Sequence, residues 1–432
     1  MTRRTSLTVQ VPSPIGLYTA GPVLEELRRR GVEVHLSARS QVLDLAGRQG
    51  LAFTPAPLEP LEHESRQLRR LHSALTVSLT DWDFSTSYRM RMEEQITQAR
   101  RSRRALLRTL DRVPGMRGPA LNRLLDVAQR VRRSNPYPSD HLLVVSPAVV
   151  PYLLPSSGLR IDTLMESWDH PSKKPAGYRT HRIIGWNQDL NEDWTAFQGP
   201  AEHLVGYPFK LRYFLEPTRG PLAGSNHRRG TVMYAATSSS MYRYGRVWEE
   251  ESRLIDGIAE ACRQAGLRLL VKPKPTGVPG EFDVLATRHD HLHVAPYGQA
   301  STPVDYFLDD AYNEQRLHDL RRVDLVITFG TTFAIDAAAA GVPVLQLDLR
   351  PAADLFPDSA FVSHNHHLAR HLLSRAPHTF RIEGNSWRPA LSEFLATDSA
   401  MPHEYSASLR AWIKPDAPCE SATNRLVEAI LT

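Results

Sequence analysis

Gly330, Thr331, Thr332 and Asp336 lie close together between two apolar runs, and their types suit an anionic, hydroxyl-bearing ligand. Thr331 and Thr332 can offer hydroxyl donors to a phosphate. Asp336 sits one turn further on, where its carboxylate can accept hydrogen bonds from a ribose or a sugar. The surrounding sequence predicts how they are held. Asp324–Thr328 (DLVIT) is an apolar run of buried-strand length. Phe329–Thr332 is a turn of small and hydroxyl residues, and Phe333–Ala340 is a good helix former. Gly341-Val342-Pro343 stops that helix before the next apolar run, Val344–Leu347. A helix that starts after such a turn presents free N–H groups and the positive end of its dipole. The same residues also suit a plainer role, with Thr331 or Thr332 capping the helix and Asp336 favouring its first half. Both readings are open at this point.

A second group gathers at the ends of other predicted strands. Lys272 and Lys274 follow the run Leu267–Val271, and Pro273 and Pro275 stiffen that exit. One ammonium could thus be aimed at a phosphate, or the pair could form an exposed basic turn. Leu159–Met165 ends at Glu166-Ser167-Trp168-Asp169-His170-Pro171. Ile183–Trp186 leads to Asn187, and Thr231–Ala235 leads to a turn containing Ser238 and Ser239. Polar groups at strand ends are where open α/β sheets hold ligands. His364 to His367 follow the loop after Val344–Leu347 and could line the same cleft. The histidines at 289, 291 and 293, and those at 364, 366, 367 and 371, offer no third distant ligand, so no metal site is expected. Asp81-Trp82-Asp83 reads D-x-D but lies in a polar helical stretch, where chance explains it. No G-x-S-x-G, H-E-x-x-H, C-x-x-C or P-loop occurs, which removes the cheapest support for hydrolase, zinc-protease and P-loop readings.

The elements that must position these residues are strands alternating with helices. Ser6–Val11, Pro22–Arg30 and Val32–Leu36 predict a β-α-β opening of Rossmann type. The loop between, Pro12–Gly21, has no G-x-G-x-x-G fingerprint. Residues 63–133 differ, being polar and helical in tendency. Between Gln98 and Arg133 there are eleven arginines against two acidic residues. That stretch reads either as a solvated helical hairpin or as a surface for an anionic membrane. No aromatic interleaving supports nucleic acid. Glu216–Gly230, rich in Pro, Gly and polar residues, is the best linker. The chain of 432 residues is expected to form two domains, with no membrane span and a cytoplasmic location, and its two cysteines build no disulfide framework. The expected division is 1–215, a linker at 216–230, a second domain at 231–400 and a helical segment at 401–432.

These stretches together resemble bacterial GT-B-fold enzymes of capsule and surface-polysaccharide synthesis, the set that includes CDP-glycerol glycerophosphotransferases. The likeness is carried by Ser167-Trp168-Asp169 with Lys173 or Lys174, by Trp186-Asn187 and Val205–Pro208, by Lys272–Pro275, by Asp324–Asp348 and by the closing Ser421–Ile430. Lys274 stands where the family usually has histidine, and Asp336 where glutamate is commoner. The resemblance implies an α/β fold of two Rossmann-like domains facing across a cleft, with the basic helical stretch inserted in the first. It implies a metal-independent glycosyltransferase using a nucleotide-sugar donor to extend a glycan or lipid-linked acceptor, and on the membrane reading of the arginine-rich stretch this cytoplasmic enzyme would be peripheral on the inner membrane face. Lys272, Lys274, Gly330, Thr331, Thr332 and Asp336 would hold the donor. Asp169 or His170 would serve as acceptor base, Asp169 equally fitting a role in fixing its loop, with Ser167, Trp168, Asn187, Ser238, Ser239 and His364 as further cleft candidates. No cofactor is expected. A polyol-phosphate transferase, a nucleotide-sugar 2-epimerase and a catalytically silent glycan- or membrane-binding protein are the alternatives.

Overall fold

The computed structural model describes residues 6–57, 135, 137–146, 158–173, 178–215, 230–237, 246–274, 281–297, 310–329, 331–363, 371–376, 379–384, 386–397 and 399–432. The arginine-rich stretch, the D-x-D run, residues 216–229 of the expected linker, Ser238, Ser239, Gly330 and His364 to His367 lie outside the described residues. The chain divides into two compact units. One comprises Met1–Lys210 together with Pro415–Thr432, and the other comprises Leu211–Lys414.

The first unit is built on a seven-stranded, wholly parallel sheet. In chain order its elements are β1 (Ser6–Val11), α1 (Pro14–Arg29), β2 (Glu33–Ala38), α2 (Ser40–Arg48), β3 (Thr54–Pro57), β4 (His141–Val145) and β5 (Arg160–Leu164). Then come α3 (His170–Lys173), β6 (Arg182–Gly185), α4 (Gln188–Gln198) and β7 (Glu202–Val205). The strand order is β3-β2-β1-β4-β5-β6-β7. Central strands such as β4 (HLLVV) are buried almost throughout, as parallel strands covered on both faces must be. Register carries one face across the sheet, from Val9 to Leu143 to Asp162.

α1 starts eight residues before the expected Pro22, so the predicted loop of 12–21 is mostly helix. The cause is a start signal stronger than the internal proline. Ser13, in extended conformation, accepts a bond from Gly16 N at 3.1 Å, and Pro14 occupies the first turn. Leu17, Tyr18, Thr19 and Ala20 are then buried, and that packing outweighs the single ladder bond lost at Pro22.

The second unit is a six-stranded parallel sheet of order β10-β9-β8-β11-β12-β13. Its elements are α5 (Arg212–Leu215), β8 (Thr231–Ala235), α6 (Val247–Gln264), β9 (Arg268–Lys272), α7 (Glu281–Ala286), β10 (Leu292–Val294), α8 (Asp310–Arg321) and β11 (Leu325–Thr328). After them come α9 (Phe333–Ala339), β12 (Val344–Asp348), α10 (Pro357–Ser363), β13 (Phe380–Arg381), α11 (Trp387–Ala396) and α12 (Met401–Ile413). Its core joins Leu254, Ile258, Val271, Ile327, Leu347 and Leu391. α6 and α11 approach closely because Gly257 leaves room for the Trp387 ring.

The expected helical segment at 401–432 is two helices that part company. α12 stays with the second unit, where Ser406 Oγ donates to Val342 O at 2.7 Å. α13 (Cys419–Leu431) belongs to the first unit. Its Leu426, Val427 and Ile430 are buried, Arg30 Nη2 donates to Asn424 O at 3.1 Å, and Arg182 Nη1 donates to Ala429 O. Among the described residues no helix is long and apolar enough to cross a membrane.

Candidate functional site

In a parallel α/β sheet the crevice for a ligand opens where neighbouring strands send their connections to opposite sides. The second unit has that point between β8 and β11, and the first between β1 and β4. Thr331 and Thr332 follow directly after β11, so they stand at the second unit's switch point. Lys272 closes β9, one strand further over. Strand pairing thus gathers on one sheet edge residues that are far apart in sequence.

Their side chains, however, are already engaged with the protein. Thr331 Oγ1 accepts a bond from Phe333 N at 3.0 Å, and Thr331 N donates to Thr328 Oγ1 at 3.2 Å. Thr331 therefore caps the turn into α9, the plainer of its two readings. Thr332 makes no side-chain cap bond and is half-buried. Lys272 Nζ lies 2.6 Å from Asp319 Oδ2, and both side chains are less than one-tenth exposed. Asp336 forms an ion pair with Arg316. Lys274 is exposed.

Both partners come from α8, whose role was not anticipated. Asn313, Arg316 and Asp319 recur at every third position, which puts them on one helical face, and all three are buried. Arg316 Nη1 donates to Asn313 Oδ1 at 3.1 Å, and its guanidinium lies over the ring of Phe214, 4.8 Å from the centroid. Gln315 Nε2 donates to Asp319 Oδ1 at 2.9 Å. One helix thus ties the end of β9 to α9 through two ion pairs of opposite sense. The available signal was the i, i+3 polar repeat beside the apolar Leu317 and Leu320. Next to that face, Tyr213 of α5 and Glu314, His318 and Arg321 of α8 line an open groove of about 560 Å³.

In the first unit, β5 runs out into the turn Glu166–Asp169. Ser167, Trp168, Asp169 and His170 are all buried, with relative exposures between 2 and 6 %. His170 N donates to Ser167 O at 3.2 Å and begins α3. Asn187 caps α4, its Oδ1 accepting from Leu190 N at 3.1 Å. Trp186 Nε1 donates to Met165 O at 3.1 Å, pinning β6 to the end of β5. Glu166 opens the same turn. Its Oε2 is buried and has no hydrogen-bond partner.

The remaining titratable groups show mostly structural roles. Asp256 accepts from Arg288 Nη1 at 2.8 Å and meets His289 Nε2 at 3.0 Å. Cys262 is fully buried, and burial pushes its thiol up to about 12, the environment of a structural rather than a reactive cysteine. No grouping that could hold a metal ion occurs among the described residues.

No protein-family model matches the sequence, and no curated protein matches it either. Solved structures do match over the whole chain. The Staphylococcus aureus MnaA–UDP structure is 10 % identical, with a TM-score of 0.51, covering 99 % of this chain and 96 % of that one. Arabidopsis thaliana UGT89C1 complexed with UDP is 13 % identical, with a TM-score of 0.49 and full coverage of both chains. A putative UDP-N-acetylglucosamine 2-epimerase from Listeria monocytogenes is 12 % identical, with a TM-score of 0.47, covering 99 and 96 %. At such identities the likeness concerns the fold. The chain has two parallel-sheet α/β units with helices, in the manner of the GT-B fold.

Proposed function

We propose that the second unit binds a nucleotide-activated sugar and that the protein is a glycosyltransferase acting on a surface-glycan or lipid-linked acceptor. The observation that carries this reading is the gathering of Thr331, Thr332 and Asp336 at a topological switch point, with Lys272 one strand away on the same sheet edge. The UDP of the MnaA structure, a whole-chain match in fold, supports a nucleotide as the ligand. Thr332 and the N–H groups of the turn would meet the diphosphate. Lys272, held by Asp319, would supply positive charge, while Asp336, held by Arg316, would accept from a sugar or ribose hydroxyl. Preorganised dipoles and charge of this kind stabilise a leaving phosphate without a metal.

A second reading, a nucleotide-sugar 2-epimerase, draws support from the acids and bases at the end of β5. Glu166, Asp169 and His170 are buried together there, more acid–base capacity than a single acceptor deprotonation needs.

Thermal melts with UDP, CDP, GDP and TDP test the nucleotide site. A ligand at a hundred times its Kd adds about 2.7 kcal/mol, a readily measured rise in Tm. The expected result is stabilisation by one nucleotide, reduced in Thr332→Ala, a substitution that leaves the Thr331 cap in place. Absence of any response overturns the reading. Incubating the stabilising nucleotide's sugar conjugate without acceptor separates the two chemistries, because only an epimerase then changes the sugar.

A further inference from the structure

We propose that Glu251 of α6 is a positioning residue for the nucleotide site, fixing the path of the chain as it leaves β8; this rests on the nucleotide reading above. β8 and β11 lie side by side at the second unit's switch point, so Ala236 and Thr237 leave one strand where Thr331 and Thr332 follow the other. Glu251 is fully buried near the start of α6. Its Oε1 accepts from Tyr234 Oη, on β8, and from Thr237 N, just beyond the strand, both at 2.8 Å. One carboxylate oxygen thus grips the strand and its exit together. Between them, Ala236 N donates to Lys272 O at 3.1 Å, which ties the same exit to the end of β9.

Burying a carboxylate here carries a desolvation cost. α6 otherwise turns Leu254, Ile255 and Ile258 into the core, and an apolar side chain at position 251 would avoid that cost. An apolar side chain cannot, however, accept from Thr237 N, and a buried N–H deprived of its acceptor is destabilising in its turn. That N–H is committed to Glu251, so Thr237 serves a ligand by its position and not by that donor. Sites that must be held to a fraction of an ångström depend on such supporting bonds.

The preceding residue supplies an internal comparison. Glu250 is also buried, and its two oxygens accept from Asp358 N at 3.3 Å and Ser359 N at 2.7 Å, at the start of α10. The chemistry is the same, a buried carboxylate holding backbone N–H groups. The segment held differs, because α10 follows β12 and Thr237 follows β8 at the switch point.

The test uses the full chain, titrated calorimetrically with UDP, CDP, GDP and TDP. Glu251→Gln retains an oxygen that can accept both bonds. Glu251→Asp keeps the charge but withdraws it by one methylene, and Glu250→Asp makes the same withdrawal one residue away. Glu251→Asp should weaken the nucleotide that wild type binds about tenfold, with Glu251→Gln within about threefold of wild type. Glu250→Asp should lower Tm as Glu251→Asp does, yet leave the Kd unchanged. Rescue by glutamine and not by aspartate ties the effect to the bond rather than to the charge. Wild-type affinity in Glu251→Asp overturns the proposal, and so does an equal loss in Glu250→Asp, which assigns the effect to general loosening of α6. A loss in Glu251→Gln as large as that in Glu251→Asp also overturns it, because the acceptor is then not what matters. A wild type that binds none of the four nucleotides sinks the donor reading and this role with it, whereas a wild type and a Glu251→Asp variant that bind equally well remove this role alone.

Discussion

Lys272 and Asp319 allow the roles of stability and ligand binding to be separated in one experiment. Their charged atoms are 2.6 Å apart, with side chains 8 and 5 % exposed. Removing one partner leaves the other charge buried and unpaired, which costs about 3–5 kcal/mol. In a unit of this size each kcal/mol moves Tm by about 2–4 °C, so Lys272→Met or Asp319→Leu alone should lower Tm by about 6–20 °C. The double variant removes both charges and fills the space with apolar atoms, and it should return to within about 1–2 kcal/mol of wild type. Gln315 loses its bond to Asp319 but is exposed, so water replaces that partner. A double-mutant cycle by thermal and urea denaturation measures the coupling. Single variants that each cost under about 1 kcal/mol, or a double variant as unstable as the two losses added, would refute the reasoning that this pair is a desolvated unit. The repaired double variant is then the clean reagent for nucleotide binding. Loss of nucleotide stabilisation in that stable background assigns Lys272 to the phosphates, and retention limits it to holding α8.

Three other perturbations follow from the packing. Gly257→Ala would set a Cβ 2.3 Å from the Trp387 ring, so its gain in helix propensity is outweighed and the protein should lose about 1–2 kcal/mol in urea denaturation. Glu26 is held at about 2 by the hydrogen bond from Arg29, and by that from Arg30 against the opposing pull of burial. Because its folded value lies below the ordinary 4.5, its stabilisation is complete above that pH and fades towards about 2; Glu26→Gln should flatten this part of the acid-unfolding curve. Deleting α13 should uncover α1 and destabilise the first unit, and limited proteolysis of the full chain should then degrade the first unit and leave a fragment of the second intact.

Local periodicity made most strands and several helices legible. β8 and β1 occupy the ranges that their apolar runs predict, and α9 differs by one residue at its end. The failures have physical causes. The apolar pattern of Pro22–Arg30 marks only the second half of α1, while its start rests on the Ser13 cap and Pro14. For the site, sequence could mark Thr331, Lys272 and Asp336 as polar residues after strands, but not the partners that engage them. Those partners, Arg316 and Asp319, sit on a helix with no strand end to flag it, and only the sheet order brings them across. Glu166 was visible in the same turn as Asp169, yet nothing in its neighbours distinguishes a paired carboxylate from an orphaned one.

The return of α13 to the first unit fixes an order of assembly on the ribosome. Everything the second unit needs, from Leu211 to Lys414, is contiguous and is synthesised before α13. The first unit begins earlier but is completed only by a helix made after the whole of the second unit. Domains commonly finish folding in N-to-C order as they emerge. Here the nascent second unit can close while the face of α1 that meets α13 still awaits its cover. A stalled or prematurely released chain would therefore carry a finished second unit tethered to an incomplete first one, with the Leu426, Val427 and Ile430 contacts missing.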